Sequence, residues 1–190
     1  MNRRKAITRV LLIGAGATAA VGGYKWYSIN REPDLDFMDQ QTELIAALAE
    51  TIIPATDTPG AKACQVEKYI QVMVRDCTDR KSQNKFVDGL KDLKAYTSYE
   101  YGKEYQHCTT EQQIKVLEHF AGKASSTGLW SKIERRYLGN SFFTTLKQYT
   151  VEGFCTSRQG ATQALSYLHV PGRYQGCMPM TPGQKAWATS

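Results

Sequence analysis

From Asp34 to Leu168 the apolar residues return at intervals of three and four, and the alternation expected of strands is nearly absent. Such spacing draws one apolar stripe along a 3.6-residue helix, so the chain must bury its hydrophobic surface helix against helix. Leu44, Ala47, Leu48, Thr51 and Ile52 mark one face, with Asp36 and Asp39 upstream and Pro54 to stop it. Val66, Tyr69, Ile70, Met73, Val74 and Cys77 mark a second. Phe86, Leu90 and Leu93 predict a third helix from about Lys81 to Thr97, weakened by Gly89. Thr110 with Gln113 predicts a capping box for a fourth, carrying Ile114, Leu117 and Phe120. Trp130, Ile133 and Tyr137, then Phe142, Leu146 and Tyr149, continue the pattern on either side of Gly139. The expected class is all-α, a compact helical domain.

The connections are legible too. Pro59-Gly60 predicts a type II turn, with proline presetting the first φ and glycine accepting the positive second one. The Ser- and Gly-rich stretch from Gly122 to Gly128 reads as a loop. Tyr96, Tyr99, Tyr101 and Tyr105 crowd one region, either as a packed aromatic edge of the core or as a sugar-stacking platform. After Val170 the density of Pro171, Gly172, Gly176, Pro179, Pro182 and Gly183 forbids a continuous helix. Yet this tail carries Tyr174, Cys177, Met178, Met180 and Trp187, apolar content that favours docking onto its own helices or onto another protein.

The net charge of +6 invites a nucleic-acid partner until it is located along the chain. Arg3, Arg4, Lys5, Arg9 and Lys25 lie among the first 25 residues, where no acid stands, leaving 19 basic against 18 acidic residues from position 26 onward. The body is nearly neutral and shows no nucleic-acid signature, so no nucleic-acid partner is expected. The same 25 residues have the layout of an export signal: a basic start, then a charge-free run from Val10 to Gly23 rich in small residues. That run is shorter than the ~20 residues that cross a bilayer as an ordinary helix. Arg3-Arg4 before a weakly apolar stretch resembles signals of the twin-arginine translocation route, although Lys5, Ala6, Ile7 and Thr8 depart from the preferred Phe-Leu-Lys. Ala17-Thr18-Ala19 offers a small-residue cleavage site; left uncut, the segment, with Tyr24, Trp26 and Tyr27 behind it, would be a membrane anchor. The competing reading is a basic arm packed on the domain. The expected organisation is 1–25 signal or anchor, 26–38 linker, 39–169 helical domain and 170–190 irregular docking tail.

A catalytic constellation is not visible. His107 and His119 are not brought together by helical spacing, and no His or Cys pair falls at i,i+3 or i,i+4 to begin a zinc site. Covalent haem attachment, a dinucleotide fingerprint, a nucleophile elbow and a phosphate loop are all missing as motifs. Neither a catalytic nor a metal residue is expected in this chain. Cys64, Cys77, Cys108, Cys155 and Cys177 allow at most two internal disulfides on an exported chain. Cys64 and Cys77 read as the most buried, and Cys177 as an accessible thiol that can bond a partner subunit, the alternative being that it is buried or paired within the chain.

Three stretches together resemble the gluconate 2-dehydrogenase subunit 3 family: Leu48 to Ala61 (LAETIIPATDTPGA), Thr150 to Gly153 through Gly160 to Thr162, and Val170 to Cys177 with Thr181 to Gln184. The resemblance extends from about Gln40 to Trp187 and includes the twin-arginine start. It implies a non-catalytic small subunit of a membrane-associated, flavin-dependent sugar or sugar-acid dehydrogenase in the bacterial periplasm. On that reading FAD sits in a separate catalytic flavoprotein and haem in a cytochrome subunit, while this chain holds no cofactor. The small subunit would escort the flavoprotein through the twin-arginine machinery and stabilise it. Arg3 and Arg4 would carry the export signal, and Arg173, Tyr174, Cys177 and Trp187 would bind the partner. The alternative is an exported, membrane-anchored scaffold or chaperone for a different client.

Overall fold

The computed structural model describes residues 23, 27, 30–124, 139–170, 172, 177, 179, 180 and 182–188. Among them the secondary structure is helical, with one isolated bridge between Ser166 and Trp187 and no strand. The elements are α1 (Leu35–Gln40), α2 (Thr42–Ile52), α3 (Val66–Asp76), α4 (Arg80–Tyr101), a 3-10 turn (Tyr105–His107), α5 (Thr110–Ala124), α6 (Phe142–Thr156) and a π turn (Gly160–Ala164). The all-α expectation holds for these residues. Trp130, Ile133 and Tyr137 lie outside them.

Helix α6 is the hub and packs on α2, α3, α4 and α5. Its first residue, Phe142, sits so close to α4 that a Cβ on Gly89 would stand 2.3 Å from both Phe142 Cβ and Cγ. The glycine that weakens α4 by propensity is thus what lets the two helices meet. Around this contact Phe86 and Phe120 place their rings 5.4 and 5.9 Å from Phe142, tilted or edge-on as aromatic quadrupoles prefer. Met38, Ile45, Leu48, Ile70, Val74, Leu90, Leu93 and Leu146 are among the other fully buried residues of the core.

Helix α4 is longer than its apolar stripe predicts. Asp79 caps its start by accepting the Ser82 N–H at 3.2 Å, and Gly102 ends it. The capping box of α5 lies one residue earlier than expected: Thr109 accepts from the Gln112 N–H at 3.4 Å, and Gln112 accepts from the Thr109 N–H at 3.0 Å. Ile114, expected on the apolar face, is 44% exposed, while Val116, Leu117 and Phe120 are buried. Of the four clustered tyrosines only Tyr105 is fully buried; Tyr99 is 87% exposed and Tyr96 stacks on His119 at 4.4 Å.

The segment read as a linker contributes a helix of its own, α1, with Met38 fully buried. It is strapped along α4. Asn84 donates to Arg31 O at 2.7 Å, Arg31 pairs with Asp88 at 2.5 Å, and Lys91 pairs with Asp34 at 2.7 Å while standing 4.7 Å above the Phe37 ring. Arg75 of α3 pairs with Asp39 from the other side. Asp34 also caps α1 by accepting the Phe37 N–H.

Gly89→Ala should improve α4 by about 1 kcal/mol on propensity alone, but the Phe142 contact makes it a loss of about 1–3 kcal/mol by overpacking, read as a lower denaturation midpoint. The Lys91 ammonium, and then the Phe37 N–H, hold the Asp34 carboxyl below its usual 3.8. A depressed carboxyl supports the fold above its unfolded value and loses that support as acid protonates it. An NMR titration should place the Asp34 midpoint below 3.8, and Lys91→Met should move it up.

Candidate functional site

Glu50, in the last turn of α2, organises the loop that follows. Its Oε1 accepts the Ala55 N–H at 3.0 Å and its Oε2 accepts the Lys62 N–H at 2.8 Å, so one carboxylate ties both ends of the loop. Ala61 N–H bonds Ile53 O at 3.0 Å and Thr56 N–H bonds Thr58 O at 3.0 Å. A Cβ on Gly60 would stand 2.3 Å from Glu50 Oε1 and 2.7 Å from Ala55 N. This corrects the turn expected at Pro59-Gly60: Gly60 does not have a positive φ, and glycine is required because the carboxylate fills the space of a side chain. The outcome is a fixed loop whose residues Pro54, Ala55, Thr56 and Asp57 face solvent.

Beside it, Tyr105 pins the end of α4 to α2 and α5. Its hydroxyl lies 3.0 Å from Thr51 Oγ1 and 3.3 Å from Gln113 O, and Gln113 Nε2 returns a bond to Tyr105 O at 3.0 Å. Burial drives the phenol well above its ordinary value, against the smaller opposing effect of the Thr51 bond, so it remains a neutral structural group. Gln113 is thereby occupied in this network rather than in a cap.

The third component is the return of the tail. Ser166 N–H bonds Ala186 O at 2.8 Å, Ala188 N–H bonds Ser166 O at 2.9 Å, and Lys185 Nζ reaches Gln163 O at 2.5 Å. These bonds close the stretch between Ser166 and Trp187 into a loop at its base. Trp187 is 45% exposed, Met180 is 89% exposed, and Tyr167, Leu168 and Val170 are exposed as well. The first and third components share one end of the bundle, since Cys64 Sγ, just after the Glu50 loop, lies 3.9 Å from Gln159 Oε1, just before the π turn.

Of the residues expected to act, Arg3, Arg4, Arg173 and Tyr174 lie outside the described residues. Cys177 is exposed and Trp187 stands at the closure of the tail loop. All five cysteines are free. The burial order differs from expectation: Cys77 is exposed because α3 has already ended there, Cys64 is half-buried, and Cys108 is the buried one. Burial pushes the Cys108 thiol up, against a smaller opposing pull from Lys103, which makes it a poor nucleophile.

Among the described residues no cluster of three or more His, Cys, Asp or Glu side chains is arranged to hold a metal, and no helix is long and apolar enough to cross a membrane. What the described residues do offer is a polar loop tied at both ends by Glu50 and, after the π turn, the exposed apolar side chains of Tyr167, Leu168, Val170, Met180 and Trp187. Glu50 is not among the residues that the sequence singles out; its signal is a carboxylate in the last helical turn before the Pro- and Gly-punctuated stretch from Pro54 to Gly60.

A model of the family described as gluconate 2-dehydrogenase subunit 3 matches residues 39–172, the helical body together with the Glu50 loop and the root of the tail. No curated protein and no solved structure matches the chain.

If Glu50 builds the loop, Glu50→Ala should leave the helices folded and release the loop. The Ala55 and Lys62 amides should exchange roughly tenfold faster with deuterium, the loss of about 1–2 kcal/mol of local protection. Unchanged exchange at both amides would show that the loop holds itself.

Proposed function

The chain belongs to the gluconate 2-dehydrogenase subunit 3 family, and from that premise we propose that it is the non-catalytic small subunit of a periplasmic, membrane-associated sugar or sugar-acid dehydrogenase. The observation that carries the reading is the match across residues 39–172, which coincides with the helical body. FAD then belongs to a separate catalytic flavoprotein, and haem to a cytochrome subunit that removes the electrons. This chain binds neither. It escorts the flavoprotein through the twin-arginine machinery under the signal begun by Arg3-Arg4, and afterwards stabilises it at the inner membrane.

Physical chemistry supports the division of labour. The twin-arginine route carries proteins already folded, so a signal on one chain serves a second chain docked to it. Docking before export requires a surface formed in advance, and the Glu50 loop is held by backbone bonds independent of any partner. Trp187 and its exposed apolar neighbours in the tail loop are the kind of anchors that supply most of the binding energy in such contacts. The basic segment before Lys25 keeps the near-neutral body close to anionic lipid if it is retained.

Affinity purification of the exported chain from membranes, with mass spectrometry and flavin absorbance, tests the reading. The expected result is a stoichiometric flavoprotein with dye-reducing sugar or sugar-acid oxidation, and none from this chain alone. A lone chain, or one bound to a client without flavin, would overturn it in favour of a membrane-anchored scaffold or chaperone. Arg3→Lys with Arg4→Lys should leave both chains in the cytoplasm.

A further inference from the structure

Residues 31–40 lie on α3 and α4, and they are held there differently from the helices of the body. Of these ten only Met38 is fully buried, with Leu35 and Phe37 half-buried against the core. Helix α2, next along the chain, buries Leu44, Ile45, Ala46, Leu48 and Ala49. What the strap lacks in buried side chains it has in polar ties from α3 and α4. Asn84 donates to Arg31 O at 2.7 Å, Asp88 pairs with Arg31 at 2.5 Å, Lys91 pairs with Asp34 at 2.7 Å, and Arg75 pairs with Asp39. Lys94 closes the row by donating to Gln41 Oε1 at 2.9 Å. The side chains of all three ion pairs are between 39% and 50% exposed. Pairs this open to water are screened by salt and contribute little singly.

A helix of six residues does not persist in water on its own, so α1 exists as a helix while it is docked. Ordering ten residues around one fully buried side chain leaves a small surplus, which makes this the kind of segment that opens ahead of a core. The family match supplies an independent observation. It begins at residue 39, so Met38 and everything before it precede the part of the chain that the family has in common. We propose that residues 31–40 are a releasable strap, docked on α3 and α4 at low ionic strength and let go as one unit while the body stays folded, so that the tether between the N-terminal segment and the body has two lengths. Docked, Asn84 and Asp88 hold Arg31 beside the start of α4. Released, residues 31–38 add at most roughly 26 Å of reach, at ~3.3 Å for each extended residue. The device depends on no partner. It either holds the N-terminal segment against the body or gives it room, and the ionic surroundings decide which.

Hydrogen exchange on the full chain tests the strap. It is read at the Met38 and Gln41 amides, which bond Asp34 O and Met38 O, and at the amide of Leu90, a buried residue of α4. Between about 0.05 and about 1 M sodium chloride the first two should exchange about tenfold faster, and Leu90 should not change. Asp88→Asn combined with Lys91→Gln removes two ties without altering the strap itself. This variant should show the fast rate at low salt already, with Leu90 still protected. Met38→Cys gives a second reading: alkylation at position 38 should accelerate with salt, while that of Cys108, buried in the body, should not. Exchange at Met38 in step with Leu90 at every salt concentration would make α1 part of the core and overturn the proposal. Exchange at Met38 indifferent to both salt and the double variant would overturn it as well, leaving the packing of Met38 as the whole hold.

Discussion

The approach of α4 to α6 at Gly89 and Phe142 is the contact on which the remaining geometry depends. With no side chain at position 89, Phe142 reaches the α4 backbone, and α6 then lies where it also touches α2, α3 and α5. Phe86 and Phe120 close round the same ring from two helices, so an aromatic cluster forms where the start of α6 meets α4. Dense packing of this kind transmits displacement rather than absorbing it. The direction of α6 determines where Gly153 to Thr156 emerge, and therefore where the π turn and the tail begin. A core contact near the start of α6 thus fixes where the π turn begins beyond its end.

Much of this was legible in the residues, and the exceptions share one cause. Apolar spacing located every described helix of the body except the short α1, because spacing reports a stripe and the stripes are real. Position within a helix is a finer matter. Thr109 with Gln112 and Thr110 with Gln113 satisfy the same capping pattern, and local sequence offers no reason to choose. The choice is made by Tyr105 and Thr51, which claim Gln113 from outside the helix. Gly60 is the same kind of case: its neighbour Pro59 suggests a turn requiring positive φ, whereas the deciding atom is a carboxylate oxygen ten residues earlier. Gly89 reads as a flaw by propensity and is a packing requirement by contact. In each instance a long-range neighbour overrides a local preference, which periodicity has no means of registering.

The candidate surface was harder to read than the fold because it is made by backbone ties instead of reactive groups. Searching for acids, bases and metal ligands leaves Glu50 among ordinary surface carboxylates. Its role appears only once the Ala55 and Lys62 amides are seen to converge on it. The tail gave a compositional signal, apolar residues among prolines and glycines, but composition does not say that Ser166 and Trp187 meet and close the loop.

This contrast bears on what a subunit of this kind is built to do. A catalytic site asks for groups whose protonation changes, and it places them where burial and neighbours shift their titration. Among the described residues the strongest upward shift falls on Tyr105, whose hydroxyl is committed to holding α2, α4 and α5 together. The exposed Glu50 loop is fixed by a charge-assisted clamp that needs no partner, so the cost of ordering it is met during folding rather than during association. A loop ordered in advance presents its exposed residues Pro54 to Asp57 in one arrangement whatever it meets. One buried phenol and one partly exposed carboxylate are thus both spent on fixing backbone, the first between three helices and the second across a loop.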